Sequence, residues 1–175
     1  MDTRSFILIG FVFIFALLLG GSNLYPQGTS VQLQINSQPA IDFTADQTSF
    51  TLTFSDFKKG STTNTVDVTY SIMANDVVRL EGVILGKLDD LFPSIDFQVD
   101  FGSYTKKGGN AHLVESASGF VTMTTSDTPL ANKVIENGGG KMLDGSFVIT
   151  YQAKALEDQA AGEQVKTLTI TFADN

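Results

Sequence analysis

The chain has 175 residues, 19 acidic against 11 basic side chains, a net charge of −8, one histidine and no cysteine or tryptophan. That length suits one domain. The acidic balance argues against nucleic acid and anionic membrane as partners. The absence of cysteine and the lone histidine remove a disulfide framework and a His/Cys zinc site.

Residues 1–22 read as a secretory signal peptide. Arg4 supplies positive charge, Phe6–Leu19 ("FILIGFVFIFALLL") is an unbroken apolar run, and "GGSN" follows with small residues. Cleavage is expected after Ser22, which makes the protein secreted, extracellular or cell-surface. The alternative is a retained membrane anchor, although the run falls short of the roughly 20 apolar residues that a spanning helix needs. Asp2 and Arg4 leave together, so the mature chain keeps its acidic charge.

Residues 23–30 ("NLYPQGTS") form a lead-in with Pro26 and Gly28. Alternation dominates from there on. Val31, Leu33 and Ile35 alternate with Gln32 and Gln34. The same pattern recurs at Phe50–Phe54, Val66–Ile72, Ile95–Phe101, Phe147–Ala153 and Leu168–Phe172. A period of two places one set of side chains in a core and the other in water, which predicts half-buried strands. Weaker strands are expected at Ala40–Phe43, Val78–Leu85, His112–Glu115 and Phe120–Thr124. Turn signals separate them at 58–64, 73–76, 106–110, 126–129 and 137–141. Two stretches read as short helical turns: "LGKLDDLF" (85–92), ended by Pro93, and "TPLANKVIENG" (128–138), with Thr128 as cap and Pro129 at the first helical position. The sum is an all-β, Ig-like or jelly-roll β-sandwich of nine or ten strands spanning 39–175.

Candidate chemistry is sparse. His112 in "GGNAHLVES" reads as a strand-edge residue, and no Gly-x-Ser-x-Gly elbow accompanies it. Asp89 and Asp90 are adjacent, and Asp96 and Asp100 share the polar side of one strand, so both pairs read as solvated surface. The loops "DGS" (144–146) and "LEDQ" (156–159) offer oxygen ligands for calcium without a spaced Asp loop. Tyr70 and Tyr151 share parity with apolar neighbours and read as core. No cofactor and no enzymatic activity are expected, with calcium as the one alternative.

Two stretches carry a resemblance. "GSFVITYQAKALEDQAAGEQVKTLTITFADN" (145–175) has the form of a closing hairpin and resembles the end of secreted Ig-like pilin and spore-coat-type subunits, with Gln164 where that family has an aromatic. "FTLTFSDFKKGSTTNTVDVTYSIMANDVVRLEGVIL" (50–85) is similar to jelly-roll subunits of biofilm-matrix fibres and archaeal bundling pili. The resemblance implies a non-enzymatic filament subunit that polymerises with its own copies by β-augmentation. Its N-terminal segment, 23–38, would then be the candidate donor strand, with Val31, Leu33 and Ile35 as the inserted face. Leu168, Ile170 and Phe172, expected to pair with the strand at 147–153, would wall the receiving groove. The other reading of 23–38 is the first strand of its own sandwich. The alternative function is a monomeric adhesin or carbohydrate-binding module whose surface ligand the sequence does not name.

Overall fold

The computed structural model describes residues 28–36, 41–74, 82–136, 142–160 and 162–174. The expected leader, 1–22, lies outside the described residues. Every regular element among the described residues is a strand. They are β1 (Gly28–Asn36), β2 (Ile41–Ala45), β3 (Ser49–Thr53), β4 (Val66–Ala74), β5 (Gly82–Leu88), β6 (Ile95–Phe101), β7 (Thr105–Gly109), β8 (Ala111–Glu115), β9 (Val121–Thr122), β10 (Thr128–Ile135), β11 (Leu143–Ala155) and β12 (Glu163–Asp174). They form a sandwich of two sheets. One runs β3-β1-β12-β5-β10-β8, and the other runs β2-β4-β11-β6-β9 with β7 also paired to β11.

Alternation sets the faces. β11 alternates buried and half-buried side chains along nearly its whole length, so its odd-numbered residues line the core. Its length lets it hold two partners on one flank: its first half pairs with β7 and its second with β6.

The pairing is nested. β6 pairs with β9, β5 with β10 and β4 with β11, all antiparallel and in alternate sheets. The chain thus folds back on itself as one long double strand wrapped around the core, the jelly-roll arrangement. The next rung outward would join β3 to β12. These two strands do run antiparallel, but β1 lies between them.

Several expectations are corrected. The described residues form twelve strands rather than nine or ten, and most of the turn expected at 106–110 is β7. The helical readings at 85–92 and 128–138 fail, because both stretches supply strand. In β5, Gly82, Ile84, Gly86 and Leu88 face inward at a period of two. In β10, the register shifts between Pro129 and Ala131, so Leu130 and Ala131 are both buried. A bulge is where a strand tolerates proline, and the doubled apolar pair imitates helical spacing. The closing hairpin also fails. β11 and β12 lie in different sheets, and β12 pairs with β1 and β5 rather than with 147–153. Alternation shows which face is buried, but both sheets bury a face against the same core. Of the expected strand Val78–Leu85, residues 78–81 lie outside the described residues. The turn at 137–141 lies outside them too.

The core is aromatic. Tyr70 stacks on Phe147 at 5.3 Å, and Phe147 contacts Phe101 at 4.8 Å. Tyr151 contacts Phe50 at 4.6 Å and Phe97 at 5.9 Å. The two groups meet where the Tyr70 and Tyr151 hydroxyls hydrogen-bond at 2.6 Å. Each tyrosine gives the other the partner that burial would otherwise deny it. Removing one hydroxyl leaves the second unsatisfied, at a cost of about 1–3 kcal/mol. We therefore expect Tyr151→Phe to lower unfolding free energy by about that amount, and Tyr70→Phe/Tyr151→Phe to recover most of it. Additive losses in urea unfolding would refute the coupling.

Burial raises the Tyr70 and Tyr151 hydroxyls above the ordinary tyrosine range, and burial with the nearby Asp144 carboxylate pushes Tyr104 up to about 12. The folded chain therefore holds protons that the unfolded chain releases above about pH 10. This contribution to stability is complete below pH 10 and is lost as the pH rises through the folded values. The double phenylalanine variant should flatten the alkaline decline in unfolding midpoint, and an unchanged decline would place its origin elsewhere.

Gly145 sits in mid-strand because a Cβ there would collide with the Tyr104 ring and the Thr105 carbonyl. Gly145→Ala should force β7 away from β11 and cost about 1–3 kcal/mol in urea unfolding. Gly162→Ala, whose Cβ would meet nothing within 4 Å, should change stability by less than about 0.5 kcal/mol. Equal effects would contradict the packing argument.

Candidate donor strand and its groove

β1 is the described part of the 23–38 segment; residues 23–27 and 37–38 lie outside the described residues. Its sequence, GTSVQLQIN, alternates aliphatic and polar side chains and contains no charge. Thr29, Val31 and Leu33 are buried and Ile35 is partly buried against the core. Ser30, Gln32 and Gln34 face outward. Here β1 completes its own sandwich.

It is held on both flanks. On one side it pairs in parallel with β12 over nine residues, with Leu33 beside Leu168 and Ile35 beside Ile170. On the other it pairs antiparallel with β3, with Val31 beside Phe50 and Thr29 beside Leu52. The structure thus brings five of the six expected residues into one site: Val31, Leu33 and Ile35 with Leu168 and Ile170. Phe172 is buried but lies one residue past the last β1 pair, opposite Ile84 of β5. The second wall, Phe50 and Leu52 of β3, was read from the sequence only as a strand. No local signal marks it, because its role comes from the nested pairing.

Without β1, β3 and β12 would face each other across about two strand spacings, some 9–10 Å. Both walls would bare a row of backbone donors and acceptors. The floor would expose the side chains that now cover Val31 and Leu33. Burying those two aliphatic residues contributes about 3–6 kcal/mol, a large share of the 5–15 kcal/mol that typically holds a domain folded. The groove is therefore a strand-shaped site that must be filled.

The remaining candidate residues sit apart from it or brace its edges. Asp89 accepts hydrogen bonds from the Asp90 and Thr167 amides, at 2.8 and 3.0 Å, and so pins β12 to the loop after β5. Asp90 is fully exposed and bonds to the Lys166 ammonium at 2.6 Å, which holds its carboxyl below the usual range. Asp96 and Asp100 face outward beside Lys154 and Thr150. His112, on the edge strand β8, has Nδ1 3.1 Å from Glu136 Oε1. Glu136 also bonds to Lys106 at 2.7 Å, which lowers its carboxyl, with a smaller contribution from His112. Asp144 lies under Gly108 at the β7 pairing. In the 156–159 loop, Asp158 accepts the Lys59 amide, and Gln159 donates to the Ser94 carbonyl, each at 2.9 Å. Among the described residues, no three His, Cys, Asp or Glu side chains converge on a point. Asp89, Asp90 and Glu136 tie loops to strands, and Asp158 and Gln159 tie loop to loop. No protein-family model matches the chain, and no curated protein is similar to it in sequence.

Proposed function

We propose that this protein is a structural subunit of an extracellular filament, pilus or biofilm matrix, and that copies join when β1 of one fills the β3–β12 groove of another. The observation that carries the reading is the interposed strand. Three rungs of the nested ladder close directly, and the fourth is held open by a strand from near the N-terminal end. β1 pairs through backbone groups and three aliphatic side chains, which any copy can supply equally well. β-Augmentation needs nothing more.

The cis arrangement delays assembly. Release of β1 breaks ladders on both flanks and exposes Val31 and Leu33, so exchange passes through a high-energy open state. The linkage also constrains geometry. The five Cα steps from Asn36 to Ile41 reach about 18 Å at most, and both the groove exit at Asn36 and the start of β2 at Ile41 lie at the end where β4, β10 and β12 finish. Lending and receiving copies therefore meet through that end. One-way exchange propagates a fibre, and mutual exchange closes a pair.

The test is concentrated, leaderless protein warmed below its unfolding midpoint, followed by electron microscopy and light scattering. We expect filaments of many copies. Val31→Asp/Leu33→Asp should abolish them, and excess peptide with the sequence of residues 28–36 should block them. Persistent monomers, or masses that stop at two copies, would overturn the filament reading.

A further inference from the structure

The apolar face of β1 decides which side enters the core, but not how far along the groove the strand sits. A slip of one residue would turn Val31, Leu33 and Ile35 outward. A slip of two would keep them inward, with aliphatic side chains replacing one another except where the buried Thr29 gives way to Val31 or takes its place. The three aliphatic residues specify the parity well and the register only weakly.

The outer face supplies what is missing. Ser30 donates to Glu163 Oε1 on β12 at 2.6 Å, and its Oγ lies 3.2 Å from Thr51 Oγ1 on β3. One short side chain thus bridges both walls. Two positions back, a Cβ on Gly28 would lie only 3.1 Å from the Thr51 methyl. Each two-residue slip breaks this arrangement. Sliding one way puts Ser30 at the tight glycine site and the longer Gln32 between Glu163 and Thr51. Sliding the other way puts Gly28, which has no hydroxyl, between the walls and Pro26 at the tight site. Proline also lacks the amide that a paired strand donates.

We propose that Ser30, clasped by Glu163 and Thr51 and backed by Gly28, is the register key of the groove and the determinant by which it recognises its own strand. In the filament the key comes from the entering chain and the lock from the receiving one, a step that rests on the function proposed above. Register selection within a single copy does not depend on it.

The chain has no cysteine, so paired cysteines can report the register. Gln32→Cys/Thr167→Cys joins Cα partners of β1 and β12, at a spacing of about 4.8 Å that a disulfide spans. Gln32→Cys/Val165→Cys and Gln32→Cys/Thr169→Cys are offset by two, about 8 Å apart and out of reach. We expect only the first pair to oxidise in the monomer. Adding Ser30→Ala or Glu163→Ala should raise oxidation of an offset pair about tenfold, the low end for losing a hydrogen bond to a carboxylate, since this one is exposed. Ser30→Thr, which keeps the hydroxyl, should restore the single register. Both serine variants and the glutamate variant are to be checked for an unchanged far-ultraviolet spectrum. Offset oxidation with Ser30 and Glu163 intact would overturn the proposal. A single register that survives both alanine variants would overturn it too. Absence of filaments would remove the assembly reading and leave this result standing, since the disulfides are read in the monomer.

Discussion

The parallel ladder between β1 and β12 is the constraint on which the rest of the sandwich depends. It runs for nine residues and is the only parallel pairing among the described strands. It makes β12 an interior strand flanked by β1 and β5. It also prevents β3 from meeting β12, although the nested pairing brings the two to the same place with the right relative direction. β3 is left as an outer strand of five residues attached through β1. Phe50 and Leu52 owe part of their cover to a strand that enters from near the N-terminal end. A sheet whose middle is supplied in this way is not closed by its own wrapping.

The other sheet is organised differently. β4, β11 and β6 pair directly, and their inward residues carry most of the rings. Phe43 of β2 packs against Tyr70 and Phe147 at 5.8 and 6.2 Å. The Tyr70–Tyr151 hydrogen bond joins the two ring groups through the centre. Without disulfides, stability falls to this packing and to the loop braces made by Asp89, Asp158 and Gln159. Those braces are exposed or half-exposed, so each is worth little alone. They fix where connections cross between the sheets rather than how stable the sheets are.

Much of this was legible in the sequence, for a physical reason that also sets the limit. Alternation at Val66–Ile72, Ile95–Phe101 and Phe147–Ala153 reports burial on one side, which a sandwich imposes on most of its strands. It therefore gave the all-β class and the inward set, Tyr70 and Tyr151 included. It carries no information about which sheet a strand joins, so β12 was paired with β11 when the connection in fact crosses the core. The glycines and asparagine of 106–110 signal a turn, yet 105–109 is β7: none of its side chains is buried, so it has no apolar alternation, and its place comes from the flank of β11. The bulge at Pro129 disguised β10 as a helix. Val31, Leu33, Ile35, Leu168 and Ile170 were found because alternation marks them. Phe50, Leu52, Ser30 and Glu163 acquire their part in the site only through long-range pairing.

The division of labour within the core bears on exchange. The rings in mutual contact form two groups joined by the Tyr70–Tyr151 hydrogen bond, drawn from β2, β3, β4, β6, β11 and the loop after β5, and β1 contributes none of them. What β1 adds is aliphatic and lies along the margin of that set, touching it at Phe50. Departure of β1 would uncover a trough and free β3 with its Phe50, but would leave the rings of β4, β6 and β11 and the tyrosine pair in place. A body that keeps most of its aromatic core while its aliphatic strand is replaced by an identical one would suit the proposed exchange, because the incoming strand remakes the contacts that release breaks, less the cost of bringing two copies together. Had a ring of the central set stood on β1, release would have cost the core as well as the groove, and the open state would have been an unfolded one.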